Sequence, residues 1–286
     1  MDVRRVFIVG PPRVGTTLLS FLLAGSEKVL SLSEPYHAHR IMAPWAQHRF
    51  FCRLQKKAGL RCVRPPRRTD ARRLSSFVHT MAACNGLPFL VVKETFHDWR
   101  LPAPWCNFRL LDGFAADGHP VIAMIRHPYD TGASTLRLLR RLVFGPGGWL
   151  FRRLLNNTPR FADDTHIVEW TARNYVHFCD WVQQRDLFLA RYEDLVNQPE
   201  QQLRRICRFS GVPFSERLLD HRQRRTAFGG IGAPDVLYGR PRPISRKPAN
   251  RSIDLSDHHR RILRDICGDC ATVFGYALRR GRTTPS

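Results

Sequence analysis

The sequence predicts an α/β fold, a single domain with a central parallel sheet flanked by helices. Short apolar runs rich in Val, Ile, Leu and Phe alternate along the chain with longer segments of helical pattern. The apolar runs are continuous, as is typical of parallel strands that are covered on both faces. Strands that alternate with helices favour a parallel sheet.

Four apolar runs are predicted to form the strands, and five segments to form helices. The predicted strands are residues 5–10, 88–94, 120–126 and 186–192. The predicted helices are residues 16–24, 71–84, 131–142, 165–184 and 199–210. The last helix has Pro199 in its first turn and Gly211 just after its end, where these residue types are favoured.

The loops rich in Pro, Gly and Arg look like insertions on this core rather than linkers between domains. They are residues 61–68, 145–149 and 229–250. A chain of 286 residues is long enough to bury a sizeable core. We therefore expect one domain over residues 1–286, with a core over residues 5–276 and a short basic C-terminal tail.

The net charge of +22 is the strongest compositional signal. The stretch 49–73 contains many basic residues and a single acid, Asp70, and the stretch 131–162 contains no acid. We find no zinc-finger spacing, no aromatic RNA-binding motif and no basic low-complexity tail, so nucleic acid is not the expected partner. Solvated basic faces and an anionic cofactor or acceptor explain the charge equally well.

The cysteines and the hydropathy indicate a cytoplasmic protein. Of eight cysteines only Cys267 and Cys270 form a close pair, and this pair follows helical sequence. A zinc site needs a second such pair. Reduced, mostly buried thiols are therefore expected, in a cytoplasm-like compartment. No apolar stretch approaches the ~20 residues that span a bilayer, and "MDVRR" gives no sign of a secretory leader.

A glycine loop follows the first predicted strand and has the outline of a phosphate-binding loop. Gly10, Gly15 and Thr17 match the pattern of nucleotide-hydrolysing P-loops, but Thr16 replaces the lysine. That lysine serves the outer phosphates of a triphosphate, so its loss argues against one. Backbone N–H groups at a helix N-terminus and two hydroxyls still make an anion site. The predicted ligand-binding residues of this loop are Pro12, Arg13, Val14, Gly15, Thr16, Thr17 and Leu18.

Cations occupy the predicted carboxyl ends of the strands, where ligands bind in open parallel sheets. They are Arg13, Lys93, Arg126 and Arg191. A magnesium-dependent NTPase places an aspartate at one of these ends. The sequence therefore predicts a site without metal, for a ligand that has separate anionic groups.

Four segments, in order along the chain, resemble motifs of the sulfotransferases that use 3′-phosphoadenosine 5′-phosphosulfate (PAPS). "GPPRVGTTLL" resembles their 5′-phosphosulfate loop, and "IRHPYDTGAS" resembles their 3′-phosphate motif. "ARYEDLVNQPEQQLRRICRFSGVPF" resembles the segment after their fourth strand. "ISRKPANRS", followed by a helix that ends in "FGY", resembles their C-terminal region. The chain departs from the family pattern at Val14, where serine is usual.

The resemblance implies transfer of a sulfuryl group from PAPS to a hydroxyl or amine, leaving adenosine 3′,5′-bisphosphate (PAP), without metal. The chain is more similar to carbohydrate-type and bacterial enzymes than to cytosolic aryl sulfotransferases. The acceptor is expected to be a glycan or another small molecule, with an anionic one favoured by the basic stretches. Lipid-linked, nucleoside and carrier-tethered acceptors stay open.

The resemblance also assigns roles to residues. Arg13 and Lys93 are implied at the 5′-phosphosulfate, and Arg126 and Ser134 at the 3′-phosphate. Arg246 and Arg251 are candidate contacts to the same 3′-phosphate, although a solvated basic loop explains them as well.

The catalytic base is predicted to be Glu34. "EPYH" resembles the carbohydrate-type enzymes, which place a glutamate after the loop and its helix, whereas aryl and steroid enzymes use a histidine after the strand lysine. His37 and His97 are therefore the other candidates. A helix cap or an ion pair is the structural alternative for Glu34.

Two other functions are compatible with parts of the sequence. A P-loop kinase of small molecules fits the glycine loop but not Thr16 or the missing aspartate. A non-enzymatic polyanion-binding protein fits the charge alone.

Overall fold

The computed structural model describes residues 2–36, 44–57, 59–61, 63–65, 71–95, 113, 116–144, 163–220, 227–228 and 255–278. Six strands in these residues form one sheet, in which every pair of neighbours is parallel. They are β1 (Arg4–Gly10), β2 (Val29–Ser33), β3 (Phe89–Thr95), β4 (Val121–Ile125), β5 (Phe188–Arg191) and β6 (Ala227–Phe228). The α/β fold with a parallel central sheet is thus confirmed.

The helices lie on both sides of this sheet. They are α1 (Thr16–Leu23), α2 (Pro44–Lys57), α3 (Ala71–Cys84), α4 (Pro128–Phe144), α5 (Asp164–Gln183), α6 (Tyr192–Asn197), α7 (Pro199–Ser210) and α8 (Asp257–Val273). A 3₁₀ turn, Glu216–Leu219, follows α7. The bounds predicted for α3 and α7 are those observed, and α4 begins three residues earlier than predicted. β2, β6 and α2 were not predicted.

Both faces of β1 are buried, which explains why it reads as a continuous apolar run. Phe7 and Val9 pack into a cluster with α3, α4, α5 and α8, whereas Val6 and Ile8 pack into a second cluster with α1 and α7. Successive side chains of a strand point to opposite faces, so a strand between two layers of helices needs apolar residues at every position.

In the strand order β5-β4-β1-β3-β2-β6, the strands β3, β2 and β6 lie on one side of β1, and β4 and β5 lie on the other. The order of the strands therefore reverses beside β1. In open parallel sheets the ligand-binding crevice lies at this point of the carboxyl edge. Gly10 at the end of β1 is level with Thr95 on β3. Ser33 on β2 is level with Lys93.

No helix among the described residues is long and apolar enough to cross a membrane.

Candidate active site

The glycine loop after β1 is shaped by two positions that accept no side chain. Gly15 has a φ of 102°, and a Cβ there would lie 2.4 Å from Cδ2 of Tyr192. A Cβ on Gly10 would lie 2.7 Å from the carbonyl oxygen of Met124 on β4. The loop is thereby packed tightly against β4 and against Tyr192, the residue that follows β5. α1 begins at Thr16 directly after it, so the unpaired N–H groups of its first turn lie at the crevice.

The loop side chains divide between the core and the crevice. Val14 is fully buried and belongs to the apolar cluster under the loop. Its side chain therefore contributes packing, and only its backbone is available to a ligand. Pro12 is also buried and has no N–H to donate. Thr17 and Leu18 are half-buried, and Thr16 is buried.

Arg13 lies at the centre of a cluster that spans the crevice. Its Nε donates a hydrogen bond to Ser134 Oγ on α4 (3.1 Å). Its own carbonyl oxygen accepts from Nη1 of Arg126 (3.4 Å). The structure therefore brings together three residues that the sequence predicts at a phosphosulfate donor, although Arg13 and Ser134 lie 121 positions apart.

Arg126, at the end of β4, is only 4% exposed. Its guanidinium lies over the ring of Tyr192, 4.3 Å from the ring centroid, and 3.7 Å from Asp130 Oδ2. Its Nε is buried and has no hydrogen-bond partner among the described residues. Buried donors are nearly always paired in folded proteins. An unpaired donor on a permanent cation beside the crevice fits an anionic ligand group.

Tyr192 is a site residue that sequence reasoning missed. Its ring carries Arg126 on one face and closes against Gly15, so it links the glycine loop to the strand-end arginine. The available signal was positional: Tyr192 directly follows β5 at the carboxyl edge of the sheet.

The turn that carries Arg126 is held from the C-terminal part of the chain. Glu193 Oε1 accepts from the backbone N–H of His127 (2.9 Å), and Glu193 Oε2 accepts from the hydroxyl of Tyr276 (2.7 Å). Arg191 lies over the Tyr276 ring, 4.4 Å from its centroid. Arg191, predicted as a strand-end cation, thus braces the "FGY" segment. Burial lowers the pKa of His127 and raises that of Tyr276.

Glu34 and Lys93 meet at the ends of β2 and β3. Lys93 Nζ forms an ion pair with Glu34 Oε1. Thr95 Oγ1 donates to the same carboxylate oxygen (2.5 Å), and the Glu34 N–H donates to the Lys93 carbonyl (2.6 Å). The Lys93 side chain is 5% exposed and that of Glu34 14%, so the pair is nearly buried.

The backbones of Arg13 and Glu34 both have an uncommon, left-handed conformation. Their φ angles are 72° and 57°, and the other described residues with positive φ are glycines. A left-handed conformation of a residue with a side chain costs of order 1–3 kcal/mol and concentrates at functional sites. Both residues were predicted as catalytic from the sequence, and the strain supports a role for the loops that carry them.

Glu94, next to Lys93, has a structural partner instead. Its Oε1 accepts from the Tyr36 N–H (2.8 Å) and so anchors the chain just after Glu34. The other predicted residues, His37, His97, Arg246 and Arg251, lie outside the described residues.

Within the described ranges no group of three or more His, Cys, Asp or Glu side chains could hold a metal ion. The described cysteines, Cys267 and Cys270 among them, are free thiols. Burial raises the pKa of the Cys267 thiol, as expected for a packed rather than a reactive cysteine.

The fold and the crevice define a class: an α/β protein with a glycine loop and strand-end cations at the carboxyl edge of a parallel sheet. The sequence matches the Sulfotransferase family over residues 5–216. The chain belongs to that family. No curated protein was matched by the sequence.

Solved structures support the fold. The sulfotransferase domain of the Synechococcus PCC 7002 olefin synthase is 20% identical, with a TM-score of 0.57 and 97% of each chain covered. The sulfotransferase domain of the curacin biosynthetic pathway is also 20% identical, with a TM-score of 0.57, 98% of this chain and 100% of that domain. Sulfotransferase STF9 of Mycobacterium avium is 15% identical, with a TM-score of 0.50, 99% of this chain and 79% of the other.

Proposed function

We propose that this sulfotransferase takes the sulfuryl group of PAPS and transfers it to a hydroxyl or amine of a small-molecule acceptor. The choice of PAPS as donor depends on one observation: Arg13, Arg126 and Ser134 are linked by hydrogen bonds into one cluster. It sets two guanidinium groups and a hydroxyl beside a helix N-terminus, which suits a ligand with two separate anionic groups.

The residues present fit PAPS as donor. The N–H groups of the glycine loop and Arg13 would hold its 5′-phosphosulfate. Arg126, with its unpaired Nε, and Ser134 would hold the 3′-phosphate. PAPS supplies an activated sulfuryl group, and the protein supplies position and electrostatic stabilisation. Arg246 and Arg251 remain proposed contacts to the 3′-phosphate.

Glu34 and Lys93 are the proposed catalytic pair: Glu34 for the proton of the acceptor and Lys93 for the charge on the sulfuryl group. The Glu34 carboxylate accepts the proton of the acceptor hydroxyl or amine. The Lys93 ammonium places positive charge where negative charge accumulates on the sulfuryl oxygens. Their ion pair holds both groups at the carboxyl edge of the sheet and balances the lysine charge.

The acceptor is proposed to be carbohydrate-like or another small molecule with anionic groups. Exposed cations of α2 and of the first turn of α3 favour negative charge on the acceptor; they are Arg49, Arg53, Lys56 and Arg72. The described residues of 44–84 include no Asp or Glu. Carrier-tethered metabolites are tested beside glycans, because the sequence leaves both open as acceptors.

We further propose that residues 1–286 act as one domain in the cytoplasm and that the reaction needs no metal.

A screen of acceptors with isotope-labelled PAPS, read by mass spectrometry, tests the function. It should contain anionic and neutral sugars, nucleosides and carrier-tethered hydroxy acids. The reactions with PAPS contain EDTA, and parallel reactions with Mg·ATP do not. A product heavier by one sulfuryl group, formed together with PAP, is expected. Failure of every acceptor class, together with transfer from Mg·ATP, would assign a kinase activity instead.

A further inference from the structure

Thr95 has no role in the mechanism above, yet it contacts the proposed base. It is the last residue of β3 and lies two positions after Lys93. Side chains two apart on a strand point to the same face. The Lys93 ammonium and the Thr95 hydroxyl therefore converge on Glu34, and both donate to Oε1.

The two donors differ in what else they must do. In the proposed reaction Lys93 places its charge at the sulfuryl group, and each contact that it makes there competes with its contact to Glu34. Thr95 carries no charge and has no second task. Its β-branched side chain has few accessible rotamers, so its hydroxyl stays aimed at Glu34 when the long lysine side chain turns.

Glu34 needs such a restraint more than an ordinary surface carboxylate does. Its backbone is in the left-handed region, with φ 57°. Its N–H is tied to the Lys93 carbonyl (2.6 Å), which fixes the main chain but not the carboxylate. A general base must stay within hydrogen-bond reach of the proton it accepts, so loss of side-chain orientation reduces turnover directly.

We propose that Thr95 is a positioning residue that holds the Glu34 carboxylate in place while Lys93 serves the sulfuryl group. The inference rests on the proposed function. Thr95 thus affects turnover through Glu34 and does not contact the donor.

The test compares Thr95→Val, which keeps the shape and removes the hydroxyl, with Thr95→Ser, which keeps the hydroxyl. With labelled PAPS and the acceptor found by the screen, Thr95→Val should lower kcat about tenfold or more, the value of a hydrogen bond to a charged group. KM for PAPS and the Kd of PAP should stay within about twofold. Thr95→Ser should restore most of kcat. Thr80→Val is a matched control, because Thr80 Oγ1 donates only to a carbonyl of its own helix, Ser76 O (2.9 Å).

A second readout uses the ligand-free protein. Urea unfolding of Thr95→Val, Glu34→Gln and the double variant should give a double-variant loss smaller than the sum of the single losses, because both changes remove one contact. Likewise Thr95→Val should change kcat little when Glu34 is already Gln. Additive losses in stability and in kcat would overturn the positioning role, as would wild-type kcat in Thr95→Val. If the wild-type protein itself transfers no sulfuryl group, the proposed function fails, and this inference fails with it.

Discussion

Lys93 and Glu34 lie 59 residues apart in the sequence and form an ion pair at the ends of two neighbouring parallel strands. The pairing follows from the register of β2 and β3, which sets Ser33 level with Lys93 and puts Glu34 just beyond the strand. A buried cation and a proposed base therefore neutralise each other at the crevice.

PAP should raise the thermal midpoint of the protein without added metal. A ligand that binds only the folded state stabilises it by mass action, by about 2.7 kcal/mol at a hundred times its Kd. Differential scanning fluorimetry measures the effect, with PAP and adenosine 5′-phosphate in EDTA and with Mg·ATP in a parallel buffer without EDTA. A shift with Mg·ATP and none with PAP would point to the kinase.

Arg126→Ala should weaken the binding of PAP far more than the binding of adenosine 5′-phosphate, which lacks the 3′-phosphate. A lost charge-assisted hydrogen bond costs about ten- to a hundredfold in affinity. Calorimetric titration of both ligands measures the difference. Arg204→Ala is the matched control, because Arg204 lies exposed on α7 and pairs with Glu200. Equal losses for both ligands would remove Arg126 from the 3′ site.

Gly15→Ala should destabilise the protein more than Gly86→Ala. Both glycines have positive φ, 102° and 67°, but an added Cβ meets the Tyr192 ring at Gly15 and nothing within 4 Å at Gly86. Gly86→Ala therefore isolates the conformational cost, about 1 kcal/mol. Urea unfolding of both variants gives the difference, and equal losses would mean that Tyr192 does not constrain the loop. Gly15→Ala should also lose PAP binding, whereas Gly86→Ala should keep it.

Stability should fall as the pH drops below the ordinary histidine pKa, partly through His127. Burial lowers the pKa of His127 from its ordinary 6.5, so the unfolded chain takes up a proton that the folded protein resists. The stabilisation is complete above 6.5 and is lost as the pH falls toward the lowered value. His127→Gln should flatten the pH dependence of the urea midpoint. Identical curves for the wild type and His127→Gln would contradict the assignment.

The sequence predicted the parts of the fold and site that depend on local pattern. The glycine loop lies where its glycines place it, and Lys93 and Arg126 lie at strand ends because a short apolar run ends at each. β2 escaped prediction because two of its five residues are serines. Ser31 is tolerated in the core only through a tertiary partner, since its Oγ shares a hydrogen bond with Ser20 Oγ (2.8 Å).

The remaining contacts depend on tertiary structure, which no spacing reveals. α2 lies in a stretch whose basic charge was its main sequence feature, yet it buries Phe51 against Phe77 of α3, with ring centroids 5.1 Å apart. The contact of Arg13 with Ser134 joins the first loop to α4. Thr95 was unremarkable in the sequence, since a threonine at a strand end is common and only the register of β2 and β3 brings it to Glu34.

Glu34→Gln should lower turnover by about 10²–10⁴, the usual contribution of a positioned acid–base group. PAP affinity should be nearly unchanged, because the carboxylate serves the acceptor. The variant should also lose stability, because Lys93 keeps its charge in a site where its side chain is 5% exposed and loses its ionic partner. Steady-state kinetics with labelled PAPS measures turnover, and Glu200→Gln, an exposed helix position, is the control for the substitution itself. His37→Ala and His97→Ala should each cost much less. If Glu34→Gln keeps near-full turnover while His97→Ala is inactive, the base is a histidine and Glu34 is a structural partner of Lys93.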